Sequence, residues 1–170
     1  MLKLRSLRSR WSACSASFPE VTRQAQQELV AKRRKARHYA LQALYQWHMA
    51  GATPSNIEAE FRTDYDFSVV DLEYFQALVQ GVPPLADELD SFFEPLLDRK
   101  LSDLDPIERS LLRMGSFELR ERLDVPYRVV INESVALAKK FGASESYKYI
   151  NGVLDKIARQ LRGPEVSAGH

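Results

Sequence analysis

Apolar residues along this chain recur at intervals of three and four, and no stretch alternates as a β-strand does. Between Ala31 and Ala50, the apolar residues Ala40, Leu41, Leu44 and Trp47 share one helical face. The pattern therefore predicts a first helix over this range, which ends before the glycine that follows.

Proline, glycine and capping residues predict where later helices begin and end. Asp105 and Pro106 form an N-cap followed by proline at the first helical position. Gly142 is expected to close one helix as its C-cap, and Ser144 to cap the next. We expect six further helices, at about 54–61, 71–82, 84–97, 106–123, 126–141 and 144–161. The prediction is an all-α fold of about seven helices, in which residues 163–170 form a flexible polar tail.

The last of these helices has a defined core face, made of Ile150, Val153, Leu154, Ile157 and Leu161. Tyr149 lies about 100° away from that face, between cationic neighbours, at one helical step per residue. An aromatic ring in that position can stack on an unpaired base. The alternative is that it covers a helix seam with its hydroxyl in water.

The helix from Pro106 to Leu123 is apolar over most of its circumference, which is typical of the middle of a helical bundle. Glu118 falls near the apolar side. If it is buried, it needs a hydrogen-bonded or cationic partner, so we interpret it as structural.

Charge is distributed unevenly over the 170 residues, which suffice for one domain with a core. The net charge of +1 combines +8 over residues 1–37 with −7 over residues 38–170. A basic arm on an acidic body indicates a polyanionic ligand for the arm and a different partner for the body. Residues 1–30 are expected to be a disordered extension, with a transit peptide as the alternative, and residues 31–162 the folded domain.

Five cations, Lys32, Arg33, Arg34, Lys35 and Arg37, stand in the first turns of the first helix. The helix dipole disfavours cations there. Arg33 and Arg37 also continue the apolar face, so this end is expected to overhang the body rather than bury unpaired charge. Bound phosphates would offset both penalties, as in arginine-rich segments that order on RNA. The alternative is a solvated basic run without a ligand.

Other site chemistries are poorly supplied. A single cysteine, Cys14, excludes a disulfide framework and a cysteine-rich metal site within the chain. Histidine occurs only at positions 38, 48 and 170, which gives little basis for zinc or a Ser-His-Asp triad. No apolar run is long enough to span a bilayer, so we expect no membrane role. The cysteine content fits a reducing cytoplasm, and we expect neither a cofactor nor a metal.

Four blocks of sequence together resemble the NusB transcription antitermination family: KRRKARHYALQALYQWH, DLEYFQALVQGV, LDPIERSLLRMGSFEL and DVPYRVVINESVALAKKFGASESYKYINGVLDK. The resemblance covers about Lys32 to Arg162, in the family's order. It implies two small packed helical bundles without catalysis. It also implies binding of boxA-type single-stranded RNA together with a small-subunit ribosomal protein acting as NusE. That pair joins a complex on RNA polymerase that keeps ribosomal RNA transcription from terminating early.

The resemblance also implies roles for particular residues. The family's arginine-rich motif falls on Arg33, Arg34, Lys35 and Arg37. Further RNA-side positions fall on Gln42, Glu145, Lys148 and Tyr149. Positions that face NusE fall on Tyr45 and Glu108. The family often has Asp and Phe where this chain has Glu145 and Tyr149, and the tyrosine hydroxyl is expected to shift base preference slightly.

Two other functions stay open at this point. One is a NusB-like domain related to RNA cytosine methyltransferases, which requires a downstream glycine-rich cofactor domain that these 170 residues do not contain. The other is a helical protein-interaction module without RNA specificity. The residues do not distinguish a monomer from a homodimer, and they do not fix the exact RNA sequence preference.

Overall fold

The computed structural model describes residues 18–169, which form eight α-helices and contain no β-strand. The helices are α1 (Phe18–Ala50), α2 (Pro54–Asp64), α3 (Leu72–Gly81), α4 (Ala86–Phe93), α5 (Pro106–Glu121), α6 (Tyr127–Phe141), α7 (Ser146–Leu161) and α8 (Gly163–Ala168). The all-α prediction is confirmed. No helix in the described range is long and apolar enough to cross a membrane.

Helix α1 is longer than the sequence pattern predicted, because it begins at Phe18 instead of near residue 31. The expected disordered extension falls partly on residues 1–17, which lie outside the described range. Residues 18–30 are helical, although the side chains described from 22 onward in this part are exposed. This segment is rich in glutamine, glutamate, alanine and leucine, which have high helix propensity. Extending an existing helix by further turns also avoids the free-energy cost of nucleating a new one. Pro19 and Glu20 in the first turn are the sequence signal for this start.

Helix α5 lies at the centre of the molecule and packs against α1, α3, α4, α6 and α7. Its start is the one predicted: the Asp105 carboxylate accepts hydrogen bonds from the backbone N–H groups of Ile107 and Glu108 at 2.9 and 3.4 Å. Nearly every side chain from Ser110 to Leu119 is buried, as the apolar circumference predicted. At Gly115, an added Cβ would lie 2.8 Å from a methyl carbon of Leu154, so α5 and α7 are in close contact there.

Helices α1, α2 and α3 pack against one another, α6 packs against α7, and α4 contacts α5 and α7. The first group encloses an aromatic cluster of Tyr39, Phe61, Tyr65, Phe67 and Phe75. Helix α4 ends at Phe93 rather than near residue 97, and a 3-10 turn from Glu94 to Leu96 follows. Pro95 explains the early end, since it cannot donate to the preceding helical turn.

The junction of α6 and α7 differs in detail from the prediction. Gly142 ends α6 as expected, and a Cβ there would lie 2.7 Å from the carbonyl oxygen of Ala138. Ser144, however, is not the cap of α7. Glu145 occupies that position in the left-handed conformation, with φ of +71°, and makes no side-chain capping bond. A non-glycine residue is uncommon in this conformation.

The predicted polar tail contains helix α8. Arg162, just before it, is buried and donates hydrogen bonds to the carbonyl oxygens of Leu119 and Val125 at 2.6 and 3.1 Å. Glu165 accepts a hydrogen bond from the backbone N–H of Tyr127, and Val166 is buried. These contacts attach residues 163–168 to the core, which the polar composition of the segment did not indicate.

Candidate nucleic-acid interface

The basic run of α1 divides into inward and outward residues. Arg37 is only 4% exposed, and its Nε donates to both carboxylate oxygens of Glu118 at 3.1 and 2.9 Å. Its Nη2 donates to the hydroxyl of Tyr74 at 2.9 Å, and that hydroxyl in turn donates to Glu118. Burial alone would lower the pKa of Arg37, but the charge and hydrogen bonds of Glu118 outweigh it and leave the pKa raised.

These contacts correct one expectation and confirm another. Arg37 does not overhang the body, because the buried carboxylate of Glu118 neutralises it. The prediction that a buried Glu118 needs a cationic partner is confirmed. Arg37 is therefore part of the core, and its guanidinium is not presented to a ligand at the surface.

Arg33 also turns towards the protein. Its guanidinium lies 3.4 Å from a carboxylate oxygen of Asp71, 3.3 Å from one of Asp124, and 5.0 Å from the ring centroid of Tyr74. Arg122 covers the same ring at 4.5 Å and also bonds to Asp124. Arg33 thus connects α1 to the start of α3 and to the turn between α5 and α6.

Arg34 and Lys35 point outward. The Arg34 side chain is 64% exposed and forms a bidentate pair with Glu133 of α6, with N–O distances of 2.9–3.2 Å. The hydrogen bonds that Arg34 donates to Glu133, followed by the negative charge of that carboxylate, raise the pKa of Arg34. Lys32 pairs with Glu28 at 2.9 Å. Lys35 is exposed, and no carboxylate of the described residues lies within ion-pair distance of it.

The outward cations border a cavity of about 500 Å³ between α1 and α6, which we call the α1–α6 cavity. Its apolar lining is Ala31 and Val69, and its polar lining is Glu28, Lys32, Arg34, Lys35, His38, Ser68 and Lys140, that is, four cations and one carboxylate. Lys140 Nζ lies 3.4 Å from His38 Nδ1. Burial, followed by the charges of Lys140 and Lys35, lowers the pKa of His38. The excess positive charge around one concave surface suits a polyanion.

His38 and Lys140 were not among the residues predicted from sequence. The signal for Lys140 was the Lys139-Lys140 pair in the last turn before Gly142, which also fits a favourable interaction with the helix dipole. Nothing in the sequence indicated that this turn would lie beside α1. That proximity is a tertiary contact between residues 102 positions apart.

The basic surface continues onto the start of α7. Lys139 and Lys148 both lie over the ring of Tyr147, with their Nζ atoms 4.8 and 5.8 Å from its centroid. Lys148 forms an exposed ion pair with Glu145. The predicted residues Glu145 and Lys148 therefore lie together at the surface, and Lys139, which shares the Tyr147 ring with Lys148, is the chain neighbour of Lys140 in the α1–α6 cavity.

Tyr149 does not present a free ring. The guanidinium of Arg99 covers it at 4.6 Å from the centroid, and its hydroxyl is buried beside Asp98. Burial is the main cause of its raised pKa. Its neighbours lie in the loop after α4, whereas those of the arm arginines lie on α3, α5 and α6. Within residues 18–169, Tyr149 and the arm arginines have no contact partner in common, and a single groove that joins them stays a prediction.

The remaining predicted residues surround a third region. Gln42 and Tyr45, both half-buried, line a cavity of about 650 Å³ whose walls include Phe61, Tyr65, Ile107 and Phe141. Gln42 donates to the carbonyl of His38 at 3.4 Å, so it lies one turn beyond the basic arm. Glu108 is 6% exposed and accepts a hydrogen bond from the Ser146 hydroxyl. We call this apolar surface the α1–α2 groove.

Comparison with known proteins identifies the class to which this fold and surface belong. The model of the NusB family matches residues 34–159. The chain is 59% identical over 137 residues to the transcription antitermination protein NusB of Hahella chejuensis, covering 81% of this chain and 92% of that one. It is 58% identical over 135 residues to the protein of the same name from Alcanivorax borkumensis, covering 79% and 90%. These relatives are transcription factors and not enzymes.

Solved structures agree with the sequence relatives. A structure of the antitermination factors NusB and NusE in complex with dsRNA superimposes with a TM-score of 0.66 at 29% identity, covering 76% of this chain and 97% of that one. T. maritima NusB gives a TM-score of 0.59 at 28% identity, covering 75% and 90%. The chain belongs to the NusB family of transcription antitermination proteins.

Proposed function

We propose that this protein binds boxA-type single-stranded RNA together with a small-subunit ribosomal protein acting as NusE. In this proposal, the pair joins the antitermination complex on RNA polymerase in the cytoplasm and keeps transcription of ribosomal RNA operons processive. The protein acts as a scaffold, with one surface for the nucleic acid and another for the protein partner.

The observation that carries the RNA part of the proposal is the excess of cations around the α1–α6 cavity. Arg34 and Lys35 point to solvent, and Lys140 joins them from α6. Phosphate contacts supply most of the sequence-independent affinity of nucleic-acid-binding proteins. The related structure that contains NusB, NusE and dsRNA supports RNA as the class of ligand.

The surface proposed for the protein partner is the α1–α2 groove. Its apolar walls and the phenol of Tyr45 fit the composition of protein interfaces, which favour aromatic residues. The net charge of −7 on residues 38–170 would attract a basic ribosomal protein. Glu108, the residue after the groove residue Ile107, is proposed to act mainly by positioning Ser146 and the start of α7, since its carboxylate is buried.

The RNA proposal is tested by fluorescence anisotropy with a labelled boxA-type RNA, with and without the ribosomal protein, over a range of salt concentrations. Replacing Arg34 and Lys35 together with alanine should weaken binding. Each lost phosphate contact should reduce the salt slope by about 0.7 and weaken affinity about fivefold at 0.1 M salt. Exposed Lys156 and Arg159 of α7, replaced together with alanine, form the control with the same change in charge. Unchanged affinity and slope in the arm variant would refute the assignment.

The partner proposal is tested by measuring how tightly the ribosomal protein binds without RNA. Tyr45→Ala should weaken this complex, because a half-buried aromatic side chain in an apolar groove is typical of an interface hot spot. Leu123→Ala, at an apolar residue that is 71% exposed elsewhere, serves as the control. Glu108 is best replaced by glutamine, since a lysine would place an unpaired positive charge at this buried position. Wild-type affinity in the Tyr45 variant would place the partner on another surface.

A further inference from the structure

We propose that the α1–α6 cavity is a nucleotide subsite, in which Lys35 and Lys140 bind one backbone phosphate of the RNA and the His38 ring contacts the adjoining base. The proposal rests on the proposed function and deepens it. It adds His38 and Lys140 to the interface, and it indicates where the strand passes from α1 to α6.

The ion pairs around the cavity show which cations are left to bind a phosphate. Of the outward cations, Lys32 is paired with Glu28, and Arg34 with Glu133. Lys35 and Lys140 are exposed, and within residues 18–169 neither has a carboxylate at ion-pair distance. Both line the α1–α6 cavity together with His38, and Lys140 Nζ lies 3.4 Å from His38 Nδ1, so the two ammonium groups face the same small volume. A phosphate between them would form charge-assisted hydrogen bonds without first breaking an ion pair.

The shape of the cavity suits a nucleotide better than a free ion. Its volume of about 500 Å³ exceeds what a phosphate needs, and Ala31 and Val69 supply an apolar wall. The His38 ring is held against Phe141, at 5.1 Å between centroids, and against Tyr39 at 5.2 Å. Two aromatic neighbours fix its orientation, and a fixed flat ring is a suitable surface for an unpaired base.

Continuity with the rest of the basic surface gives the strand a direction. Beyond Lys140, the next cation is Lys139, which lies over Tyr147 together with Lys148. An RNA strand that enters at Lys35 can therefore pass Lys140 and reach the start of α7 while remaining near positive charge. This route avoids the Tyr149 ring, which Arg99 covers.

The alternative is that Lys140 only stabilises α6, since a lysine in the last turn of a helix interacts favourably with the helix dipole. The two readings differ in what removal of the charge does. A dipole role affects the stability of α6 slightly and leaves RNA affinity alone. A phosphate ligand affects RNA affinity and its salt dependence, and leaves the fold intact.

The experiment measures anisotropy of a labelled boxA-type single-stranded RNA with the full chain, over 0.05–0.3 M salt. Lys140→Ala should lower the salt slope by about 0.7 and weaken binding about fivefold at 0.1 M salt. Lys140→Glu should weaken it further. The matched control is Lys156→Ala, which removes one exposed charge from α7 outside the cavity. Thermal unfolding should show that all three variants fold as the wild type does.

The ring is tested separately. His38→Phe should keep most of the affinity, and His38→Ala should lose about fivefold or more, if a base stacks at this position. Equal affinities in these two variants would refute the base contact.

The possible failures are distinguishable. A wild type that does not bind the RNA, with or without the ribosomal protein, overturns the proposed function and this inference with it. A wild type that binds, while Lys140→Ala matches it in affinity and slope, overturns the subsite alone. An equal loss in Lys140→Ala and Lys156→Ala also overturns it, because the effect would then be a general electrostatic field.

Discussion

Replacing Arg37 with alanine should destabilise the protein severely, although the residue belongs to a basic run that suggests an RNA contact. The guanidinium is 4% exposed and its partner Glu118 is fully buried. The variant would leave a buried carboxylate whose remaining side-chain donor, within residues 18–169, is the Tyr74 hydroxyl. Removing one partner of a buried ion pair costs about 3–5 kcal/mol, because the other charge is left unpaired.

That loss is large compared with the total stability of a domain, which is about 5–15 kcal/mol. For a chain of this length each kcal/mol lowers Tm by about 2–4 °C, so Arg37→Ala should lower it by about 6–20 °C. Urea and thermal unfolding measured by circular dichroism provide the assay. Arg34→Ala is the matched control, since an exposed pair contributes only about 0.2–1 kcal/mol.

A double variant separates the lost pair from lost packing. Arg37→Met keeps much of the side-chain volume but leaves Glu118 charged, whereas Arg37→Met with Glu118→Gln also removes that charge. The double variant should be more stable than Arg37→Met alone. The reasoning fails if Arg37→Ala costs less than about 1 kcal/mol, the range of ordinary surface changes, or if the second substitution destabilises the protein further.

Three other predictions concern the arm, the pH response and the helix contacts. Glu133→Gln should release Arg34 from its ion pair, and anisotropy should show RNA affinity about two- to fivefold tighter; weaker binding would contradict this. Burial and the charges of Lys140 and Lys35 lower the pKa of His38 in the folded protein. As the pH falls below about 6.5, the ordinary pKa of histidine, the unfolded chain therefore binds the proton before the folded protein does, and the free energy of unfolding should decrease. Denaturant titrations of His38→Gln should show a flatter pH response. A Cβ at Gly152 would meet open space, so Gly152→Ala should stabilise the protein by about 0.5–1 kcal/mol. A Cβ at Gly115 would meet Leu154, so Gly115→Ala should destabilise it by up to about 3 kcal/mol. Thermal unfolding compares the two variants, and equal changes in Tm would contradict this.

Local signals predicted much of the fold. The Asp105-Pro106 start of α5, the glycine that ends α6 and the core face of α7 all follow from backbone preferences and periodicity within a few residues. The predicted start of α7 was wrong, because Glu145 in the left-handed conformation occupies the cap position that was expected for Ser144. Ser146, the first residue of α7, donates its hydroxyl hydrogen bond to Glu108, a residue 38 positions away. A tertiary contact of that kind is not visible in the local sequence.

The candidate site was predicted less completely than the fold. The basic run on α1 could be found from its charge, and the requirement of Glu118 for a partner could be inferred from its helical face. The sequence did not reveal that Arg37 is that partner, or that Lys140 and His38 meet across the α1–α6 cavity. It also gave no sign that Arg99 would cover the Tyr149 ring. Each of these three contacts depends on which parts of the chain are neighbours in space, and helical periodicity carries no information about such neighbours.

The inward and outward division of the basic run has a practical consequence for mutagenesis. Substituting Arg33, Arg34 and Arg37 as a block would remove a buried ion pair and a link between helices along with one exposed cation. If such a variant lost RNA binding, the loss could result from unfolding as well as from the missing phosphate contact. Single changes at 34 and 35, compared with single changes at 33 and 37, would separate recognition from architecture within one turn of helix.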